Sequence, residues 1–246
     1  MKLVLLGSTG YHPNRRRHTA CFALPELGVV LDAGTGIFRL GEHLVTDELD
    51  IFLTHAHLDH VVGLTFLFDV FHGRKMKRAT VHGDPVKIAA VREHLFHPLL
   101  FPVQPPCEFR ELATTTLIAQ GGTLTTFPLE HPGGSLGFRL DWPGRSLAYV
   151  TDTVARPDAA YIEKIRGVDL LVHECYFADE HHEWAVKTGH SWTSAVAEVA
   201  RAAGVGRLVL VHVNPYDDRD DPVGLEVAQK IFPRTELGRD EMVIEF

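Results

Sequence analysis

Cysteine is scarce in this 246-residue chain. The three cysteines, Cys21, Cys107 and Cys175, stand far apart and form no Cys-x-x-Cys pair, which excludes a disulfide framework and a thiolate zinc knuckle. Cys21 lies in an apolar run and reads as a small buried hydrophobe. Long hydrophobic runs are missing too: nothing approaches the roughly 20 apolar residues that a membrane span needs. The opening Met1-Lys2-Leu3-Val4-Leu5-Leu6 is too short an apolar stretch for a secretory leader, so a cytoplasmic location without membrane contact is expected. Positive charge is in deficit. Lys and Arg number 24 against 32 Asp and Glu, a formal net charge of −8, which excludes a generally basic nucleic-acid-binding surface. Two basic runs, Arg15-Arg16-Arg17-His18 and Arg74-Lys75-Met76-Lys77-Arg78, read either as local patches or as solvated loops. Gly7-Ser8-Thr9-Gly10 lacks the Gly-Lys-Ser/Thr ending of a phosphate-cradling loop. No linker and no low-complexity tract interrupts the chain, and residues 1–246 read as one domain.

Histidine, by contrast, is abundant, with 16 residues. His55-Ala56-His57-Leu58-Asp59-His60 follows a short apolar strand at 50–54. Three imidazoles and a carboxylate packed this closely are costly unless they bind something, and both are suitable ligands for zinc, manganese or iron. Three further apolar strands end in the same chemistry: 123–129 leads to Glu130 and His131, 146–150 to Thr151 and Asp152, and 207–211 to His212. Strand ends are where an α/β-type sheet places its functional groups.

These residues carry a resemblance. The motif at 55–60, followed by His131, Asp152 and His212, resembles the metallo-β-lactamase superfamily of metal-dependent hydrolases, and the likeness runs over nearly the whole chain. Pattern alone gives a mixed α/β chain of strands and helices. The resemblance implies an αββα sandwich of two mixed sheets with outer helices. It implies that His55, His57 and His131 hold one divalent ion, that Asp59, His60 and His212 hold a second, and that Asp152 bridges them. Zinc is the first candidate, with manganese or iron as alternatives. A hydroxide shared by two such ions is a strong nucleophile near neutral pH.

The phosphodiesterase branch, which includes ribonuclease Z, is the part of the superfamily that the chain resembles most. Gly189-His190-Ser191 is similar to that branch's extra histidine motif, which makes His190 the candidate proton donor. Glu174 resembles the acid that pairs with it, and a carboxylate partner fixes an imidazole's orientation. His173 is either part of that motif or a packed core residue. Asp59 is counted with His190 and Glu174 among the catalytic groups. Asp32, in Asp32-Ala33-Gly34-Thr35-Gly36, either orients a ligating histidine or is a simple turn residue. His18 is a candidate for lining the pocket, and His181-His182-Glu183 reads as a solvated loop.

Transfer-RNA processing members carry a long protruding arm. Only 20 residues separate Asp152 from His173, and no basic, glycine-rich arm is visible, so a small or cyclic phosphodiester is the expected substrate and RNA the alternative. A second enzyme reading is hydrolysis of a thioester, carboxylic ester or lactone. A redox di-iron reading is disfavoured because position 57 is His and no flavin domain is present. The non-enzyme reading is a metal-free binding or scaffold protein. A homodimer is compatible with the branch.

Elsewhere, residues 61–71 predict one largely buried helix, Asp84-Pro85 starts another running to about 95, and 193–203 a third. Residues 37–44, 158–165 and 221–231 also read as helices. The proline-broken segment at 94–106 reads as a lid, a dimer contact or a loop packed on its own domain.

Overall fold

Fourteen strands run through the computed structural model, which describes residues 1–246. They are β1 (Lys2–Gly7), β2 (Cys21–Leu24), β3 (Val29–Leu31), β4 (Glu48–Phe52), β5 (Arg78–Gly83), β6 (Glu108–Glu111), β7 (Thr115–Ile118), β8 (Gly122–Leu129), β9 (Ser135–Trp142), β10 (Arg145–Val150), β11 (Leu170–Glu174), β12 (Arg207–Val211), β13 (Thr235–Leu237) and β14 (Val243–Glu245). They form two mixed sheets of seven strands, in two compact units.

The first unit comprises Met1–Ala113, Ile118–Gln120 and Arg239–Glu245. Its sheet has the order β14-β1-β2-β3-β4-β5-β6. The β14, β1, β2 and β3 pairs are antiparallel, and β3 to β6 run parallel. Successive residues of β1, β2 and β3 are buried, so these strands read as continuous apolar runs rather than alternations. One face packs Leu6, Val30, Ile51 and Val81 against Ile37, Leu64 and Leu67 of the helical connections. Each such buried aliphatic side chain stabilises the fold by about 1.5 to 3 kcal/mol.

The single helix expected at 61–71 is instead three short pieces, Leu58–Val61, the 3-10 turn Val62–Phe66, and Leu67–Val70. Backbone docking explains the break. Gly63 donates its N–H to the Ala33 carbonyl at 2.8 Å, and Ala33 donates its own to the His60 carbonyl at 2.8 Å. A Cβ on Gly63 would lie 2.2 Å from the Gly34 carbonyl oxygen. The glycine turn after β3 therefore grips the chain directly behind His60. Asp84 caps the helix Pro85–Ala90 by accepting from the N–H groups of Val86 and Lys87, and a π-type turn, Val91–Leu95, follows. From 96 to 107 the chain has no helix or strand, and Leu99 and Leu100 are exposed.

The second unit comprises Thr114–Leu117, Gly121–Gly238 and Phe246. Its sheet order is β13-β12-β11-β10-β9-β8-β7, antiparallel from β8 to β10 and parallel from β10 to β13. The helix Thr193–Ala203 spans its expected residues and stops at Gly204, whose φ of +63° suits glycine. It packs Val196, Val199, Ala200 and Ala203 against Leu208 and Leu210. Two other expected helices are shorter, Ile162–Ile165 and Leu225–Ile231. Before the second, the Asp221 carboxylate accepts from the N–H groups of Val223, Gly224 and Leu225, a local cap that holds the approach out of helix.

Candidate metal centre

The first unit holds four of the expected donors. β4 ends at Phe52, and the chain leaves it through Leu53 and Thr54 into His55. The His55 ring lies 4.5 Å from that of His57 and 4.3 Å from that of His60, centroid to centroid. His60 Nε2 is 3.4 Å from Asp59 Oδ2, and the same oxygen accepts the backbone N–H of Tyr11 at 2.7 Å.

Asp32 explains how two of these rings are aimed. It is fully buried with φ of +58°, an uncommon backbone conformation for a residue with a side chain. Its carboxylate accepts from Thr54 N at 2.8 Å, from the Thr54 hydroxyl and from His60 Nδ1 at 2.8 Å. The Thr54 hydroxyl has one proton, which goes to Asp32, so it accepts from His55 Nδ1 at 3.0 Å. Both histidines thus carry their proton on Nδ1, which leaves Nε2 of each as the nitrogen able to ligate a metal. Asp32 acts as the orienting residue and not as a simple turn aspartate.

Three donors belong to the second unit. His131 follows β8, and its Nδ1 donates to the Gly189 carbonyl at 3.0 Å, which again leaves Nε2 as the nitrogen able to ligate. Asp152 follows β10, and His212 follows β12; both are buried, with φ of +46° and +56°. Backbone strain of this kind persists where the surroundings impose it and gathers at functional sites. Asp152 turns Oδ2 toward His131 Nε2 at 3.5 Å and Oδ1 toward His212 Nε2 at 3.3 Å. Asp152, His190 and His212 each offer a donor atom within 4.8 Å of the others.

Glu174 ends β11 and is fully buried. One carboxylate oxygen accepts from Thr153 N at 2.9 Å and from His190 Nδ1 at 3.1 Å, the other from Ser191 N at 3.2 Å. Burial alone pushes this carboxyl up, but the His190 imidazole beside it, with His212 beyond, holds it below the usual carboxylate range. The Tyr176 ring stacks on His190 at 4.5 Å and 17°. Carboxylate and ring together fix the orientation of His190.

The remaining candidates fall away from these groups. His173 is a core residue: it is fully buried between the Tyr161 hydroxyl at 3.0 Å and the Glu174 carbonyl at 2.7 Å, and burial lowers its pKa. His18 pairs with Thr35 and lines an apolar cavity with Phe38, Phe66 and Phe68. His181 closes a 3-10 turn, and the stretch expected to be a solvated loop continues into a helix, His182–Thr188. Arg17, one residue of the basic run at 15–18, is buried rather than solvated. Thr54, Tyr11 and Tyr176 were missed, and the signal for each was position alone: directly before His55, in the loop after β1, and two residues past Glu174.

The donor chemistry in both units fits divalent ions. It consists of imidazole nitrogen and carboxylate oxygen, with three rings held in the tautomer that exposes Nε2. No cysteine stands among the grouped donors, and burial raises the thiols of Cys21 and Cys175 and pushes Cys107 up to about 12.

The family profile described as "Beta-lactamase superfamily domain" matches residues 28–213. The chain belongs to that superfamily. A curated superfamily relative, "Ribonuclease Z" from Methanosarcina acetivorans, is 28% identical over 309 aligned positions that cover 100% of this chain and 98% of the relative. A second, from Archaeoglobus fulgidus, is 37% identical over 91 residues; that match spans 37% of this chain and only 30% of the relative. Among solved structures, the metallo-beta-lactamase fold protein YhfI from Bacillus subtilis superposes with a TM-score of 0.81 at 19% identity, over 100% of this chain and 99% of that one. The superfamily fold expected from the sequence is thus present, with seven strands in each mixed sheet. No helix is long and apolar enough to cross a membrane.

Proposed function

We propose that the chain is a two-metal phosphodiesterase. In this reading His55, His57, Asp59 and His60 of the first unit and His131, Asp152 and His212 of the second supply the donors for two ions, and Asp152 would serve both. The observation that carries it is Asp152, whose Oδ2 faces His131 and whose Oδ1 faces His212, an arrangement that would let one carboxylate serve two cations. When bound, divalent ions supply a water acidic enough to act near neutral pH and positive charge for the phosphate oxygens. Zinc leads, with manganese or iron as alternatives on the same donors.

The chain's own residues do the rest. Asp59, held by the Tyr11 N–H, positions the attacking oxygen. His190 Nε2 gives a proton to the departing oxygen, while Glu174 keeps the opposite nitrogen protonated. Two carboxylates among seven ligands leave the loaded centre positive, which suits an anionic diester.

A small or cyclic phosphodiester is the preferred substrate. The connections around the ligands are short, and the net charge of −8 offers no broad surface for RNA. Processing of transfer-RNA 3′ ends is the second reading, favoured by full-length likeness to a relative named Ribonuclease Z. A panel of cyclic nucleotides, a bis-aryl phosphodiester, 3′-extended transfer RNA and a thioester, assayed with zinc, manganese and iron, tests both. Turnover of the thioester with none of any phosphodiester would overturn the proposal.

A further inference from the structure

Two groups hold the His190 ring: the Glu174 carboxylate on Nδ1 and the Tyr176 ring on its face. They stand two residues apart, and the peptide after Glu174 opens the connection between them. The carbonyl of that peptide accepts from His173 Nδ1 at 2.7 Å, and His173 Nε2 lies 3.0 Å from the Tyr161 hydroxyl. We propose that Tyr161 and His173 are positioning residues for His190, acting through the backbone between Glu174 and Tyr176. The inference rests on the phosphodiesterase reading, in which His190 is the proton donor, and deepens it.

Chemistry fixes the direction of both bonds. A carbonyl oxygen only accepts, so Nδ1 of His173 carries a proton. Burial lowers the pKa of this ring and raises that of the Tyr161 hydroxyl, so both are neutral near neutral pH. A neutral imidazole has one such proton, already on Nδ1. Its Nε2 therefore accepts, and Tyr161 donates. The ring is fully buried, so without the hydroxyl Nε2 loses its partner, and the tautomer that serves the Glu174 carbonyl loses its anchor.

Tyr161 is itself held. Its ring stacks on Phe127 at 6.4 Å and 14°, and its carbonyl accepts from Lys164 N and Ile165 N at the start of the helix Ile162–Ile165. It closes the stretch that begins after Asp152, and that stretch meets the surroundings of His190 at two more points. Thr153 N donates to the Glu174 carboxylate at 2.9 Å. The Ser191 hydroxyl accepts from Ala155 N at 2.9 Å and donates to the Thr153 carbonyl at 2.6 Å. Residues 153–161 thus brace Glu174, Ser191 and, through His173, the peptide beyond Glu174. Packing alone would be served by Phe at 161 and Leu at 173, since a polar pair costs desolvation that its hydrogen bonds must offset.

Tyr161→Phe keeps the ring on Phe127 and deletes only the hydroxyl. In the zinc-loaded full chain, kcat on a diester with an alkoxide leaving group is expected to fall by about 10- to 100-fold with KM unchanged. A p-nitrophenyl diester, whose leaving group needs no proton, loses less. His173→Asn, whose amide still donates toward the Glu174 carbonyl, keeps more of kcat than His173→Leu, which has no donor. A packing role would slow both diesters alike and would not separate Asn from Leu. NMR of the 15N-labelled, zinc-loaded chain reads His190 without turnover: its Nδ1–H proton, shielded from solvent exchange by Glu174, exchanges faster in Tyr161→Phe. Native exchange in a folded Tyr161→Phe, no shielded His190 proton in the native chain, or equal losses on both diesters overturns the proposal. Should Tyr161→Phe not fold, equal kcat for His173→Asn and His173→Leu overturns it. Faster exchange in a chain that hydrolyses no phosphodiester upholds the positioning and sinks the hydrolytic reading instead.

Discussion

His190 Nδ1 lies 3.1 Å from Glu174 Oε1, pairing a fully buried carboxylate with a ring that keeps 15% of its side-chain surface exposed. Glu174 is also anchored by two backbone N–H groups, so it cannot follow the ring if the ring moves. His190→Ala is expected to lower kcat by about 100- to 10,000-fold on diesters with alkoxide leaving groups. The loss is smaller on a p-nitrophenyl ester, whose leaving group needs no proton, and metal content is unchanged. Metal loss in His190→Ala would make it a ligand rather than a proton donor. Glu174→Gln presents an amide to Nδ1 and lowers kcat in the same leaving-group pattern.

Asp32 sits behind two candidate ligands at once. Asp32→Asn replaces an acceptor with an amide group at His60 Nδ1 and loosens the Thr54 hydroxyl that aims His55. Metal affinity, measured by competition with a chelating dye, falls by about 10- to 100-fold. Unchanged affinity would show that these rings are aimed by something else.

Much of this candidate centre was legible in the sequence because the donor types a metal would need stand beside strand ends, and both features are visible in one dimension. The histidines at 55, 57, 60, 131 and 212 announced themselves in that way. The helix Thr193–Ala203 was equally plain, since its apolar face repeats at helical spacing up to a terminal glycine. Residues 61–71 misled because an unbroken apolar run carries no record of backbone docking, and it is the contact of Gly63 with Ala33 that breaks the helix. Strands β7 and β13 were missed because they are short and lie at a sheet edge, where burial leaves a weak pattern. The burial of Arg17 was hidden for the opposite reason: its neighbours Arg15 and Arg16 gave the run a solvated look.

Asp50 gives a test of the scaffold apart from the metals. Burial alone would raise its carboxyl, but the Arg78 guanidinium, at 2.6 and 2.8 Å, and His82 at 2.8 Å hold it well below the usual carboxylate range. A depressed pKa stabilises the fold above the carboxyl's unfolded value, and the contribution is lost as pH falls through the folded value. Asp50→Asn is therefore expected to cost about 1 to 3 kcal/mol at pH 7. In denaturant titrations the gap from the native chain narrows as pH drops below about 4. A gap that stays constant across that range would mean that the ion pair contributes nothing.

Asp152 is the residue on which the two-metal account turns, and elemental analysis of the purified chain tests it most directly. The account predicts two divalent ions per native chain, weakened binding of both in Asp152→Ala, and loss of phosphodiester hydrolysis with the ions. A native chain that binds a single ion, or one that keeps full hydrolytic activity after complete chelation, would contradict it.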